Sequence, residues 1–167
     1  IKQDIDTAAA LAQELQAASW RAGLGGQVND TVVGLLFRGN PQIYGDNSAS
    51  EQERMARAQC LVTVARWLAS GARTVFLQDG NTPVMRTPEL VVVLTYLKQN
   101  FPTVERVTSY GRAKTAAHKS LEEWKAIKEA GLSRLHLGLE SGCDEVLQFM
   151  DKGVTAQEQA LGGRKVV

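Results

Sequence analysis

Thiols are scarce in this chain of 167 residues. Only Cys60 and Cys143 are present, far apart and in unlike surroundings. Two thiols exclude a disulfide framework and a multi-thiolate metal site built from this chain alone. They also fall short of the three or four that an iron–sulfur cluster takes. Such usage predicts a reducing, cytoplasmic setting. An excess of charge of either sign is missing as well: the net charge is +1, which by itself indicates neither nucleic acid nor an acidic polymer nor a membrane as partner. No apolar run approaches the roughly 20 residues needed to span a bilayer. No lysine stands at a predicted strand end, which argues against Schiff-base chemistry of the aldolase kind.

What remains is an ordinary globular composition, 44% hydrophobic and 22% charged, in a chain long enough for one domain with a core. The stretch VFLQDGN, residues 75–81, is an apolar run that stops abruptly in Gln78, Asp79, Gly80 and Asn81. It predicts a buried strand whose carboxyl end opens into a polar turn, the place where α/β sheets hold their ligands. Two further runs repeat the pattern. RVTS, residues 106–109, is followed by Tyr110, Gly111 and Arg112, and LHLGL, residues 135–139, by Glu140, Ser141 and Gly142. Gln78, Ser109 and Glu140 are equally spaced, 31 residues apart. One strand and one helix per period predict parallel βα repeats with a single polar rim.

The helical segments carry their own signals. Residues 1–21 place Ile5, Ala8, Ala9, Ala12, Leu15 and Ala18 at helical spacing, and Gly23, Gly25 and Gly26 stop them. Asn29 or Asp30 caps a short helix that closes at Gly39, Asn40 and Pro41, and residues 40–49 form the longest loop-like run. Ser48 with Glu51, or Ser50 with Glu53, offers a capping box for a helix to about Ser70, with Met55, Leu61, Val62, Ala65 and Leu68 on its apolar face. Thr87 before Pro88 predicts an N-cap, Ser120 with Glu123 another capping box, and Asp144 and Thr155 two further helix starts. The fold expected is α/β: parallel βα repeats behind a helical N-terminal region. Three strands are too few for a closed barrel, which leaves part of a larger TIM-like barrel or a small open sheet with one face covered by helices.

The phrase AGLSRLHLGLESGCDEVLQFMDKGVT, residues 130–155, resembles the middle of the radical S-adenosylmethionine (radical SAM) enzyme core, where AGxxRLxxGLESGSDxVLxxMxKG spans the fourth barrel strand and its helix. TVFLQDGNT resembles the second strand of that core, ERVTSYGRA the third, and IKQDID the helix after the cluster loop. The likeness covers residues 1–167 except about 20–49, which it marks as a helical and loop insertion.

The resemblance implies a partial barrel, S-adenosylmethionine held across the strand ends, and a [4Fe–4S] cluster on a C-x3-C-x2-C loop that reductively cleaves it to a 5′-deoxyadenosyl radical. An unidentified substrate and an electron donor would be the partners. The three-cysteine loop is absent from this chain. The chain is therefore expected to be an inactive piece, truncated at both ends, of an active parent, and its open sheet edges are expected to self-associate. Carried over by position, Gln78, Asp79, Gly80 and Asn81 match the turn that meets the methionine ammonium, although the usual GGEP-like motif is missing. Ser109 and Arg112 match the strand end near the methionine carboxylate, and Glu140 and Ser141 the ribose contacts. Each has a plainer alternative: a turn acid for Asp79, a surface arginine for Arg112, and for Glu140 a carboxylate salt-bridged to a neighbouring strand end, with Arg112 as the candidate partner. His136 alone on a strand, and Trp20, Trp67 and Trp124 on helical patterns, read as packing residues. The reading from another class is a cluster-less nucleotide-binding or interaction module.

Overall fold

The computed structural model describes residues 1–44 and 50–167, so the Ser48–Glu51 capping box lies outside the described residues. Of the loop expected at 40–49, the described part is corrected to a short helix, Pro41–Tyr44, begun by the Ile43 and Tyr44 amides donating to the Asn40 carbonyl. The chain divides into two compact units, Ile1–Arg73 and Thr74–Val167. No helix among the described residues is long and apolar enough to cross a membrane.

The first unit is helical: α1 (Lys2–Arg21), α2 (Asp30–Gly39), α3 (Pro41–Tyr44) and α4 (Glu51–Ala69). Ile5, Ala12, Leu15 and Ala18 lie buried along one stripe of α1, beside Val32 and Leu36 of α2 and Leu61, Val64 and Ala65 of α4. This is the spacing of an amphipathic helix. Gly23, Gly25 and Gly26 all adopt positive φ, which lets the chain reverse after α1. The buried Ser19 hydroxyl closes that turn by donating to the Gln27 carbonyl at 2.6 Å. The Asn29 side chain caps α2 by accepting from the Val32 amide, and Ser50 and Glu53 form the expected capping box on α4. Two residues differ from expectation. Met55 is 65% exposed and Trp20 67% exposed, because each lies off the buried stripe of its helix. The Trp20 indole instead lies against Gly26, where an added Cβ would come 3.0 Å from its Nε1.

The second unit is a three-stranded parallel sheet in the order β1 (Thr74–Leu77), β2 (Arg106–Arg112), β3 (Leu132–Gly138). A 3₁₀ turn (Thr82–Val84) and α5 (Thr87–Asn100) connect the first two strands. Helices α6 (Ala113–His118) and α7 (Leu121–Glu129) connect the next two, and α8 (Asp144–Phe149) and α9 (Ala156–Val166) follow. Alternating side chains divide the sheet. Leu77, Val107 and Ser109 point into a core completed by Leu90, Leu94, Leu97, Trp124 and Ile127, while Phe76, Tyr110 and Arg112 face outward and stay exposed. Trp124 is the packing anchor expected, its Nε1 donating to the Ala116 carbonyl at 3.1 Å.

The helix starts follow local chemistry, with one exception. Ser120–Glu123 and Thr155–Glu158 form capping boxes. Arg86, not Thr87, is the N-cap of α5, because the Thr87 hydroxyl is drawn into the core and donates to the Glu123 carboxylate at 2.6 Å. The buried Lys119 ammonium donates to the same Thr87 hydroxyl and to the Met85 carbonyl, both at 3.0 Å. This network ties the start of α5 to the start of α7. Its hydrogen bonds, that from Thr87 first and that from the Ser120 amide next, hold the Glu123 carboxyl below the usual carboxylate range.

Candidate functional site

The three strands run parallel, so their carboxyl ends share one side of the sheet. They do not end at one level. Leu77, the last residue of β1, pairs with Ser109, and Ser109 pairs with Leu135, while β2 and β3 continue to the pair Arg112–Gly138. The expectation that β2 stops at Ser109 is thereby corrected. The equal sequence spacing of Gln78, Ser109 and Glu140 does not become equal height. The two crossovers differ in length, and the register shifts at Val107/Thr108.

Ser109 is fully buried in the middle of β2, its Oγ donating to the Tyr110 carbonyl at 2.8 Å. Its side chain belongs to the core face and not to the rim, as the alternation of a strand requires. Gln78 and Asp79 are exposed in the turn after β1. Asn81 is half-buried behind that turn. Its Oδ1 accepts from the Arg112 amide at 2.9 Å and its Nδ2 donates to the Thr115 Oγ1 at 2.9 Å. Asn81 therefore fastens the β1 turn to the end of β2 and the first turn of α6. Ser141 is likewise held within the backbone, its Oγ accepting from the Cys143 amide at 3.1 Å.

Gly80, Arg112 and Glu140 do meet. They line one cleft of about 230 Å³ at the carboxyl end of the sheet, with Tyr110, His136 and Lys152 among the other walls. The volume is below the range of about 300–1,000 Å³ usual for a pocket that encloses a whole small-molecule ligand. Glu140 stands at φ +55°, in the left-handed region, and its carboxylate pairs with Lys152 at 3.0 Å rather than with Arg112. Lys114, another wall residue, donates to the Gly153 carbonyl at 2.8 Å. The Arg112 guanidinium is exposed and has no ion-pair partner among the described residues. Three cations against one carboxylate favour an anionic group.

Gln159 also lines the cleft and is 4% exposed; its Nε2 donates to the Ser141 carbonyl at 2.8 Å, while its Oε1 is buried with no hydrogen-bond partner. A buried orphan acceptor is costly unless something donates to it. Nothing in the sequence around Gln159 marks it. It reaches the cleft because α9 packs on α6, where a Cβ on Gly162 would come 2.4 Å from the Ala113 carbonyl oxygen. Lys152 and Lys114 were equally unmarked, lying outside any strand end.

The donor set can be weighed against the two groups that the resemblance implies. Cys60 and Cys143 belong to different units, and among the described residues no three His, Cys, Asp or Glu side chains gather as a metal site would need. The residues present do not fit a [4Fe–4S] cluster. A zwitterionic nucleoside fits better: Arg112 suits a carboxylate, and Gln159 Oε1 and Glu140 are acceptors for an ammonium or hydroxyls. Compared with protein-family models, with curated proteins and with solved structures, the chain finds no match.

Proposed function

We propose that this chain is the middle of a radical SAM enzyme: its sheet is part of a βα barrel completed by strands outside the chain, and its cleft holds part of S-adenosylmethionine. The observation that carries this reading is the convergence of Gly80, Arg112 and Glu140, from three successive strand ends, on one cleft. The reading comes from the phrase at residues 130–155, which contains Glu140. Arg112 would take the methionine carboxylate, Glu140 the ribose hydroxyls and Gln159 Oε1 the ammonium. The parent would cleave S-adenosylmethionine reductively and act on a substrate whose identity this chain does not encode; the chain alone lacks the thiolates for that step and would be inactive.

The first test is titration calorimetry of S-adenosylmethionine into the 167-residue chain, with Arg112→Gln and Glu140→Gln beside it. Binding weakened tenfold or more by either change supports the site. The second is 5′-deoxyadenosine formation by the parent reconstituted with iron, sulfide and reductant. No 5′-deoxyadenosine from a cluster-loaded parent refutes the enzyme. Retained binding of the nucleoside by the chain would then favour a cluster-less nucleotide-binding module.

A further inference from the structure

We propose that the outward face of the sheet binds single-stranded nucleic acid. Each strand contributes one ring to this face: Phe76 from β1, Tyr110 from β2 and His136 from β3. The ring centroids are 4.8 Å apart for Phe76–Tyr110, 5.7 Å for Tyr110–His136 and 6.3 Å for Phe76–His136. Phe76 is 39% and Tyr110 50% exposed, an unusual state for a parallel sheet, whose two faces are normally both covered. Around the rings stand three exposed arginines. Arg106 pairs in register with Thr74, Arg134 with Thr108 and Arg112 with Gly138, so all three share the face of Tyr110. No carboxylate lies on this face within the three strands.

Exposed aromatic rings, here Phe76 and Tyr110 packed edge to face, and cations that meet phosphates are the two components of sequence-tolerant recognition of single strands. Length selects the occupant. From Arg106 to Arg112 the strand advances about 20 Å, so a mononucleotide reaches one ring and one arginine. Only a chain of several nucleotides meets arginines at both ends with bases over the rings between. Tyr110, His136 and Arg112 also line the cleft, and a completed barrel would enclose this face, so the inference stands beside the S-adenosylmethionine reading as its rival; Arg106 and Arg134, at the amino end of the sheet and away from the cleft, tell the two apart.

The test is fluorescence anisotropy of a labelled single-stranded RNA of about eight nucleotides, a length within the range of single-strand sites, with the 167-residue chain at about 50 mM salt. The expected result is saturable binding that weakens as salt rises. In Arg106→Gln/Arg134→Gln the slope of log K against log salt is expected to fall by about 1.4, two phosphate contacts at about 0.7 each. Tyr110→Ala and Tyr110→Leu are each expected to lose about tenfold in affinity, the leucine keeping bulk without a ring, and Tyr110→Phe to retain most of it. Circular dichroism checks that each variant folds. Absence of saturable binding, a duplex bound as tightly as the single strand, free AMP bound as tightly as the oligonucleotide, or affinity unchanged in a folded Tyr110→Leu would each overturn the proposal.

Discussion

Gly162 and Gly163 are neighbours in α9 and are expected to respond to alanine with opposite signs. In a helix, Gly→Ala ordinarily stabilises by up to about 1 kcal/mol through backbone entropy. At Gly163 a Cβ would meet nothing within 4 Å, so that gain is realised. At Gly162 the same Cβ would stand 2.4 Å from the Ala113 carbonyl oxygen and 3.2 Å from the Ala116 Cβ. The oxygen is backbone in the first turn of α6 and cannot rotate away, so α9 must move off. Overpacking of this kind costs typically 1–3 kcal/mol. After the propensity gain, Gly162→Ala is expected to lose roughly 1 kcal/mol and Gly163→Ala to gain roughly 0.5–1. The gap of about 2 kcal/mol is about thirtyfold in the folding equilibrium. Urea unfolding followed by circular dichroism measures both. Because Gln159 lies one turn earlier on α9, Gly162→Ala is also expected to disturb the cleft. A Gly162→Ala chain as stable as Gly163→Ala would refute the close packing of α9 on α6.

Three further outcomes follow from the same contacts. Asn81→Ala leaves the Arg112 amide without its acceptor and is expected to cost about 1–2 kcal/mol, with faster hydrogen exchange at Arg112; unchanged exchange would show that Asn81 does not fasten the turn. The folded Glu123 carboxyl titrates below its unfolded value, so the stability it contributes is present above about pH 4.5 and is lost as pH falls through the folded pKa. Urea midpoints for the parent sequence and Glu123→Gln should therefore converge on acidification below that point, and midpoints that stay equally far apart would contradict the Thr87–Glu123–Ser120 bonds. Among the described residues β1 and β3 pair on one side only, so concentration-dependent self-association is expected in light scattering; a monomer at millimolar concentration would count against open edges.

Much of the fold was legible in the residues because its signals are local. The capping box at Ser120–Glu123 and the glycine stop after α1 depend on backbone groups within a few residues, so sequence alone determines them. For α2 and α4 it narrowed the cap to Asn29 or Asp30 and to Ser48–Glu51 or Ser50–Glu53, of which the structure has Asn29 and Ser50–Glu53. The places of the three strands and their parallel order follow likewise from run length and alternation with helices, but the buried strand expected at 75–77 is corrected: only Leu77 of β1 is buried, and Leu139 lies exposed beyond the end of β3, because among the described residues one face of the sheet has no helix over it. The site was legible only in part. Register decided that Ser109 lies in the core and Arg112 at the rim, and register depends on crossover length and on a bulge that no single strand encodes. Only the fold gave Glu140 a partner in Lys152, turned Asn81 into a clasp, and brought Gln159 to the cleft from a helix 18 residues beyond Ser141.

Charge shows the same division. A net +1 for the chain suggests no anionic partner, yet the parallel pairing gathers Arg106, Arg112 and Arg134 around the exposed rings of Phe76 and Tyr110 and the half-buried ring of His136 on one face. A sequence states how many charges a chain has and which turns and helices begin where. Which charges stand together is set by long-range pairing, because side chains that share a sheet face come from strands more than 20 residues apart.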